Sequence, residues 1–397
     1  MPETTREAWI TGVGIVSTLG EGVDAHWQKL SAGEPSADAA TFAPFVVHPL
    51  APVNFDAQIP KKGDQRQMEN WQRIGTYAAG LALDSAGVKG NTEILSQMDM
   101  IVAAGGGERD LKVDATILNG YTQAANPAAF LNERLMGDLR PTLFLAQLSN
   151  LLAGNISIVH GVTGSSRTFM GEESAGVDAV RIALSRIAAG QSDIALVGGA
   201  HNGERPEMLM LYEFAGACLK DKLVPVWERG DKGGFALGSL GAFLVIEARE
   251  HAEKRGAKPL ARLSAVVSDR ASRKAGTITE TLGKLWDKIK DKVKGGRAAV
   301  LSGATGAIQA TAEERAFLDQ HGELAVRATA TYLGHGMEPQ FAMNVALATV
   351  ALAHGSLYPP HDPTGLEKPM NGPLDQVVVT GVGHWRGEGM ALVERVG

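Results

Sequence analysis

Near the start of the chain, Trp9-Ile10-Thr11-Gly12-Val13-Gly14 reads as a β-branched strand that leaves through a glycine turn. Near the end, Val377-Val378-Val379-Thr380-Gly381-Val382-Gly383 repeats the pattern. A strand closing in Thr-Gly-Val-Gly at both ends is what two stacked copies of one βαβ-type unit produce. Between them lie further apolar runs bounded by glycine: Met98 to Ala104, Ile194 to Val197, Ala242 to Ile246 and Ala298 to Leu301. Each is short, and continuous apolar character of this kind marks a strand buried on both faces. Segments with helical spacing separate them, beginning near Gly22, Arg73, Ala248 and Thr277. The chain is therefore an α/β protein. Gly12-x-Gly14 is a tight strand exit and not a nucleotide loop, because the third glycine and the distal acid are missing.

Composition narrows the classes. With 38 basic against 44 acidic residues, the net charge of −6 gives no electrostatic footprint for nucleic acid. The apolar stretch 341–353 is too short to span a membrane, and the opening Met1-Pro2-Glu3-Thr4-Thr5 is too polar for a signal peptide. A single cysteine, Cys218, excludes an internal disulfide framework and fits a reducing cytoplasm. No motif asks for a cofactor or a metal.

The chemistry concentrates in residues 161–200. A Ser/Thr/Gly-rich approach ends at Gly171-Glu172-Glu173-Ser174, and Val177, Val180, Leu184 and Ile187 then follow at helical spacing until Gly190. A sharp turn feeding a helix is where α/β enzymes present a nucleophile, because the helix start offers free N–H groups and a positive dipole end. The residue presented is Glu173.

On Gly161, Gly164, Ser166, Gly176, Gly190, Asp193, Gly198 and Gly199, this segment resembles the active-site region of the β-ketoacyl-acyl-carrier-protein synthases. The resemblance implies a thiolase-like fold, five layers of α-β-α-β-α built from two pseudo-repeated halves, 1–249 and 250–397. It places the family's nucleophilic cysteine at Glu173. Its first histidine falls at Gly303, in Ser302-Gly303-Ala304-Thr305-Gly306-Ala307. Its second falls at His335, in Ala330-Thr331-Tyr332-Leu333-Gly334-His335, where the family's lysine is lost. The family's glycine-rich loop, source of an oxyanion N–H and a gating phenylalanine, becomes Gly383-His384-Trp385-Arg386-Gly387-Glu388.

A carboxylate attacking a thioester would form a mixed anhydride, which lies far uphill and hydrolyses readily, so Glu173 cannot store an acyl chain. Ser174 reads as a cap or turn residue and Cys218 as a core thiol. His335 is either a buried, hydrogen-bonded histidine or a ligand contact. For Glu173 the helix dipole supplies a rationale, with Arg386 as the expected counter-ion. Together these departures favour a noncatalytic, chain-length-factor-type partner of an active synthase. The alternatives are a malonyl-carrier-protein decarboxylase supplying acetyl primer, or a synthase with weak residual acyltransferase activity.

The expected partners are acyl carrier protein and either a catalytic β-ketoacyl synthase or a second copy of the chain, with no nucleic acid and no membrane. Residues 141–158 resemble the family's helix before its dimer-edge strand, and 155–160 are expected to form that strand. Lys61, Lys62 and Arg66 resemble the family's basic segment that meets the carrier protein. Lys284, Lys288, Lys290, Lys292 and Lys294, interleaved with apolar residues, read as a solvated helix face or a second docking cluster.

Overall fold

The computed structural model describes residues 6–141, 143 and 147–397. The polar opening 1–5 and part of the segment 141–158 fall outside them. The strands of the first part are β1 (Ala8–Ser17), β2 (Gly20–Glu21), β3 (Val47–His48), β4 (Asp99–Ala103), β5 (Ser166–Phe169), β6 (Ile194–His201), β7 (Leu237–Gly238) and β8 (Leu240–Ala248). Those of the second are β9 (Ala261–Asp269), β10 (Ala298–Ser302), β11 (Ala325–Ala328), β12 (Gln376–Val382) and β13 (Glu388–Glu394).

Two five-stranded sets with the same wiring emerge. The first runs β5-β4-β6-β8-β1 and the second β11-β10-β12-β13-β9. In each, the first three strands are parallel and the last two antiparallel. They meet where β1 pairs β9 over Trp9↔Arg262 and Ile10↔Ala261. This is the thiolase-like architecture, although the matching Thr-Gly-Val-Gly segments are not equivalent positions in it. By position in the two sets, β1 corresponds to β9 and β12 to β6. The shared glycines answer local packing. A Cβ on Gly14 would lie 2.1 Å from the Ala78 carbonyl of the Asn70–Ser85 helix, and one on Gly381 would lie 2.9 Å from the Phe341 ring.

Alternation along the strands builds the layers. Ile101, Val197, Leu244, Val379 and Val393 point into a central core shared with two helices, Glu173–Ala188 and Gln340–His354. Their neighbours Val102, Leu196 and Val245 face an outer core with Trp71, Ile74 and Ile156, whereas Val300, Val378 and Leu392 face a third with Ile278, Leu282 and Phe317. Because both faces of each sheet are covered, the strands read as continuous apolar runs. Each buried aliphatic side chain contributes roughly 1.5–3 kcal/mol.

One expected strand is a helix. Residues 155–160 belong to the helix Leu151–His160, which closes on Gly161 in the left-handed region. Its buried residues are Leu152, Ala153, Ile156 and His160, a helical interval, while Ile158 is exposed. The strand before the nucleophile turn is instead β5, whose far edge has no partner in the sheet. Among the described residues, no helix is long and apolar enough to cross a membrane.

Candidate functional site

Strand β5 delivers the chain to Met170 and Gly171, and the backbone then turns at Glu172 with φ 56° and ψ −134°. This is a sparsely populated region for a residue with a Cβ, and it marks a strained elbow of the kind found at functional sites. Ser174 Oγ donates to the Gly171 carbonyl at 2.7 Å, so its hydroxyl serves the turn. The helix sits close to what faces it: a Cβ on Gly176 would lie 2.2 Å from the Glu338 carbonyl oxygen. That approach brings the helix start against the turn carrying His335.

Glu173 opens the helix, 5% exposed. Its Oε1 accepts from His335 Nε2 at 2.8 Å, His384 Nδ1 at 2.8 Å and the His384 backbone N–H at 3.2 Å. The counter-ion is thus His384 and not Arg386, which lies on the cleft wall. Burial opposes the Glu173 charge, but the His384 charge and the hydrogen bonds from both imidazoles outweigh it and hold the carboxyl well below its usual range. The same pairing raises His384 against the lowering effect of burial. His335, completely buried, is pushed down by desolvation and donates as a neutral ring. The arrangement thus favours the charged forms of Glu173 and His384 and the neutral form of His335.

Both histidines are fixed by backbone. The His335 N–H donates to the Ala236 carbonyl at 2.7 Å, tying its turn to β7. His384 sits in a tight hairpin loop between β12 and β13, closed by Gly383 N–H to the Gly387 carbonyl at 2.8 Å. Arg273 donates to the Gly383 carbonyl at 2.6 Å and pairs with Glu388, which also accepts from the Ala271 N–H. Phe235 stands between the rings, 5.2 Å from His335 and 5.4 Å from His384. The loop is thus held by the Gly383–Gly387 closure and by Arg273, itself paired with Glu388.

A cleft of about 560 Å³ opens in front, walled by Trp71, Glu172, Tyr212, Glu338, Trp385 and Arg386. Tyr212 donates to Glu172 Oε1 at 3.2 Å, and Glu338 faces His201 at 3.8 Å. Burial raises the Glu172 carboxyl. Glu338, Tyr212 and Arg273 gave no sign of their role in the sequence, since each meets the site from a distant segment.

The other expected site residues disperse. Gly303 stands at the exit of β10 and donates to Thr380 Oγ1 at 2.9 Å, and a Cβ there would lie 2.5 Å from the Thr380 carbonyl oxygen. It makes no hydrogen bond with Glu173, His335 or His384. Lys61, Lys62 and Arg66 are exposed around the short helix Lys62–Gln67, with Lys62 paired to Asp56. The helix Thr277–Asp287 buries Ile278, Leu282 and Leu285 and leaves Lys284 paired with Glu280 in solvent. Cys218 is buried, its thiol pushed up to about 12 chiefly by desolvation, and it is inert as a nucleophile.

Comparison with known proteins bears on the family and the fold. The model of the beta-ketoacyl synthase N-terminal domain matches residues 5–252. The 3-oxoacyl-[acyl-carrier-protein] synthase 2 of Vibrio cholerae is 27% identical over 264 residues, 64% of this chain and 60% of that protein. The match therefore spans about three-fifths of that relative's length. Among solved structures, the ishigamide ketosynthase/chain length factor superposes with a TM-score of 0.79 at 20% identity, covering 99% of this chain and all of that one. A type II polyketide ketosynthase in complex with its acyl-carrier protein superposes with a TM-score of 0.76 at 16% identity, with the same coverage. At such identities these structures speak for the fold.

Proposed function

The chain belongs to the β-ketoacyl synthase family, and from that premise we propose that it is a noncatalytic, chain-length-factor-type partner of an active synthase in acyl-chain elongation. One observation carries this reading. The Glu173 carboxylate already occupies the donors that condensation would need, the His335 imidazole and the loop N–H of His384, and holds the His384 ring as well. An oxyanion hole works by having donors free for charge that develops in the transition state. Here those donors are satisfied in the ground state by the chain itself, and no thiol stands at the turn to receive an acyl group.

The cleft also argues against malonyl decarboxylation. A malonyl group entering the cleft would find the His335 ring and the His384 ring and N–H already taken by Glu173, so no free donor stands there to stabilise the enolate that loss of carbon dioxide leaves. What remains is shape: a rigid wall of Trp71, Tyr212 and Trp385, with the loop 383–387 held in place. Such a wall limits an acyl chain without reacting with it.

Pairing would use the open edge of β5. Among the described residues no strand pairs that side, so its N–H and C=O groups could extend a sheet across a two-fold axis, and Met170 and Leu211, both exposed, line the cleft. The carrier protein, whose docking helix is acidic in relatives, would meet Lys61, Lys62 and Arg66. Co-expression with a synthase from the same host tests this. The expected result is a stable heterodimer, lost when Thr168→Pro removes an edge donor. A chain that stays monomeric alone and with every such synthase would refute it.

A further inference from the structure

We propose that Glu173, His335 and His384 form a binding site for one divalent transition-metal ion of the zinc type, coordinated by Glu173 Oε1, His335 Nε2 and His384 Nδ1. These three atoms lie within 4.8 Å of one another. They come from three segments far apart in the chain, the start of one central helix, the turn before the other and the β12–β13 loop. Two imidazole nitrogens with one carboxylate oxygen suit Zn²⁺ or Co²⁺, whereas Mg²⁺ and Ca²⁺ prefer all-oxygen sites.

Two further observations point to a ligand. Glu173 Oε2 is buried with no hydrogen-bond partner, an unsatisfied acceptor that a second metal–oxygen bond would use. His384 Nε2 likewise has no hydrogen bond and faces Glu172 Oε1 at 3.8 Å, with Tyr212 donating to that same oxygen. A metal-bound histidine characteristically directs its other ring N–H to a carboxylate, which fixes the tautomer. Glu172 stands where such an orienting group is required. The ion would take the place of the hydrogens now shared between Glu173 and the two rings, and it would cross-link the loop to the helix start.

The test uses the full chain, stripped with chelator and dialysed. Titration with Zn²⁺ should give one saturable site and raise the Tm, and one equivalent of Co²⁺ should give visible ligand-field absorption. Glu173→Gln and His384→Gln should each weaken Zn²⁺ binding by at least about tenfold, the scale on which even outer-shell losses register. His384 is on a loop, so its variant reports on binding even if the Glu173 variant is unstable. Absence of a saturable Zn²⁺ or Co²⁺ site in the wild-type chain, or binding in both variants as tight as in the wild type, would overturn the proposal and leave a hydrogen-bonded triad only.

Discussion

At the start of the Glu173–Ala188 helix a buried carboxylate is kept ionised by two imidazoles. At the end of β10 an equally buried one, Glu314, is held by the hydroxyls of Ser302 and Thr380, and desolvation raises it. The family resemblance implies a nucleophile position at Glu173 and a first-histidine position at Gly303, which adjoins Ser302, the partner of Glu314. Burial is the same, so the difference lies in the partners: a cation compensates a charge that hydroxyls cannot. The first turn has kept a charged, preorganised site, while the second has closed around Gly303 by backbone packing.

The largest effect expected from breaking this contrast is in Glu173→Ala. Removing the carboxylate leaves the His335 and His384 ring donors and the His384 backbone N–H without their shared acceptor, and the loss should be about 3–5 kcal/mol in chemical denaturation. Glu314→Gln, which replaces a carboxyl that burial pushes toward its neutral form by a neutral amide of the same shape, should cost less than about 1 kcal/mol. Equal losses from the two variants would mean that Glu173 is not ionised in the folded chain.

A third buried carboxyl sharpens the point through pH. Glu367 is raised to about 7 by burial, only partly offset by the Ala328 N–H, Arg327 and the Trp227 indole N–H. The folded chain therefore holds a proton that the unfolded chain releases near its ordinary value of 4.5. Its contribution to stability is complete below about pH 4.5 and is lost as pH rises through about 7, on the order of 3 kcal/mol. Glu367→Gln should flatten the fall in unfolding free energy between those limits, and an unchanged slope would count against the assignment.

Gly303→Ala probes the closed turn. A methyl group 2.5 Å from the Thr380 carbonyl oxygen forces β10 and β12 apart and should cost about 1–3 kcal/mol. The smallest expected effect on folding is that of Lys62→Glu with Arg66→Glu. These exposed residues should leave the Tm unchanged while weakening a salt-sensitive interaction with carrier protein at low ionic strength.

The layers were legible because the continuous apolar run Ala242 to Ile246 and the helical spacing along Glu173–Ala188 are local properties. So was the fate of Ser174 and Cys218, whose neighbours decide it. The helix Leu151–His160 was misread because Ile156-Ser157-Ile158 alternates over too few residues to separate strand from helix, and only the burial of Leu152, Ala153, Ile156 and His160 resolves it. The glycine echo between the termini revealed a repeated architecture but misassigned its members, since glycine marks close approach and not position in a repeat. The counter-ion of Glu173 was not legible at all. His384 lies 211 residues away, and choosing it over Arg386 depends on a hairpin closure that only tertiary structure sets. The bracing by Arg273 and the acidic cleft wall were hidden for the same reason.

The central claim is that this chain holds a synthase's shape without its chemistry. Incubating the purified chain with malonyl- and acyl-carrier protein, followed by intact mass and carbon dioxide release, tests it most directly. The account predicts no covalent adduct and no carbon dioxide above the carrier-only background. An acyl adduct on Glu173, Ser174 or Cys218, or sustained decarboxylation abolished by Glu173→Ala, would contradict it.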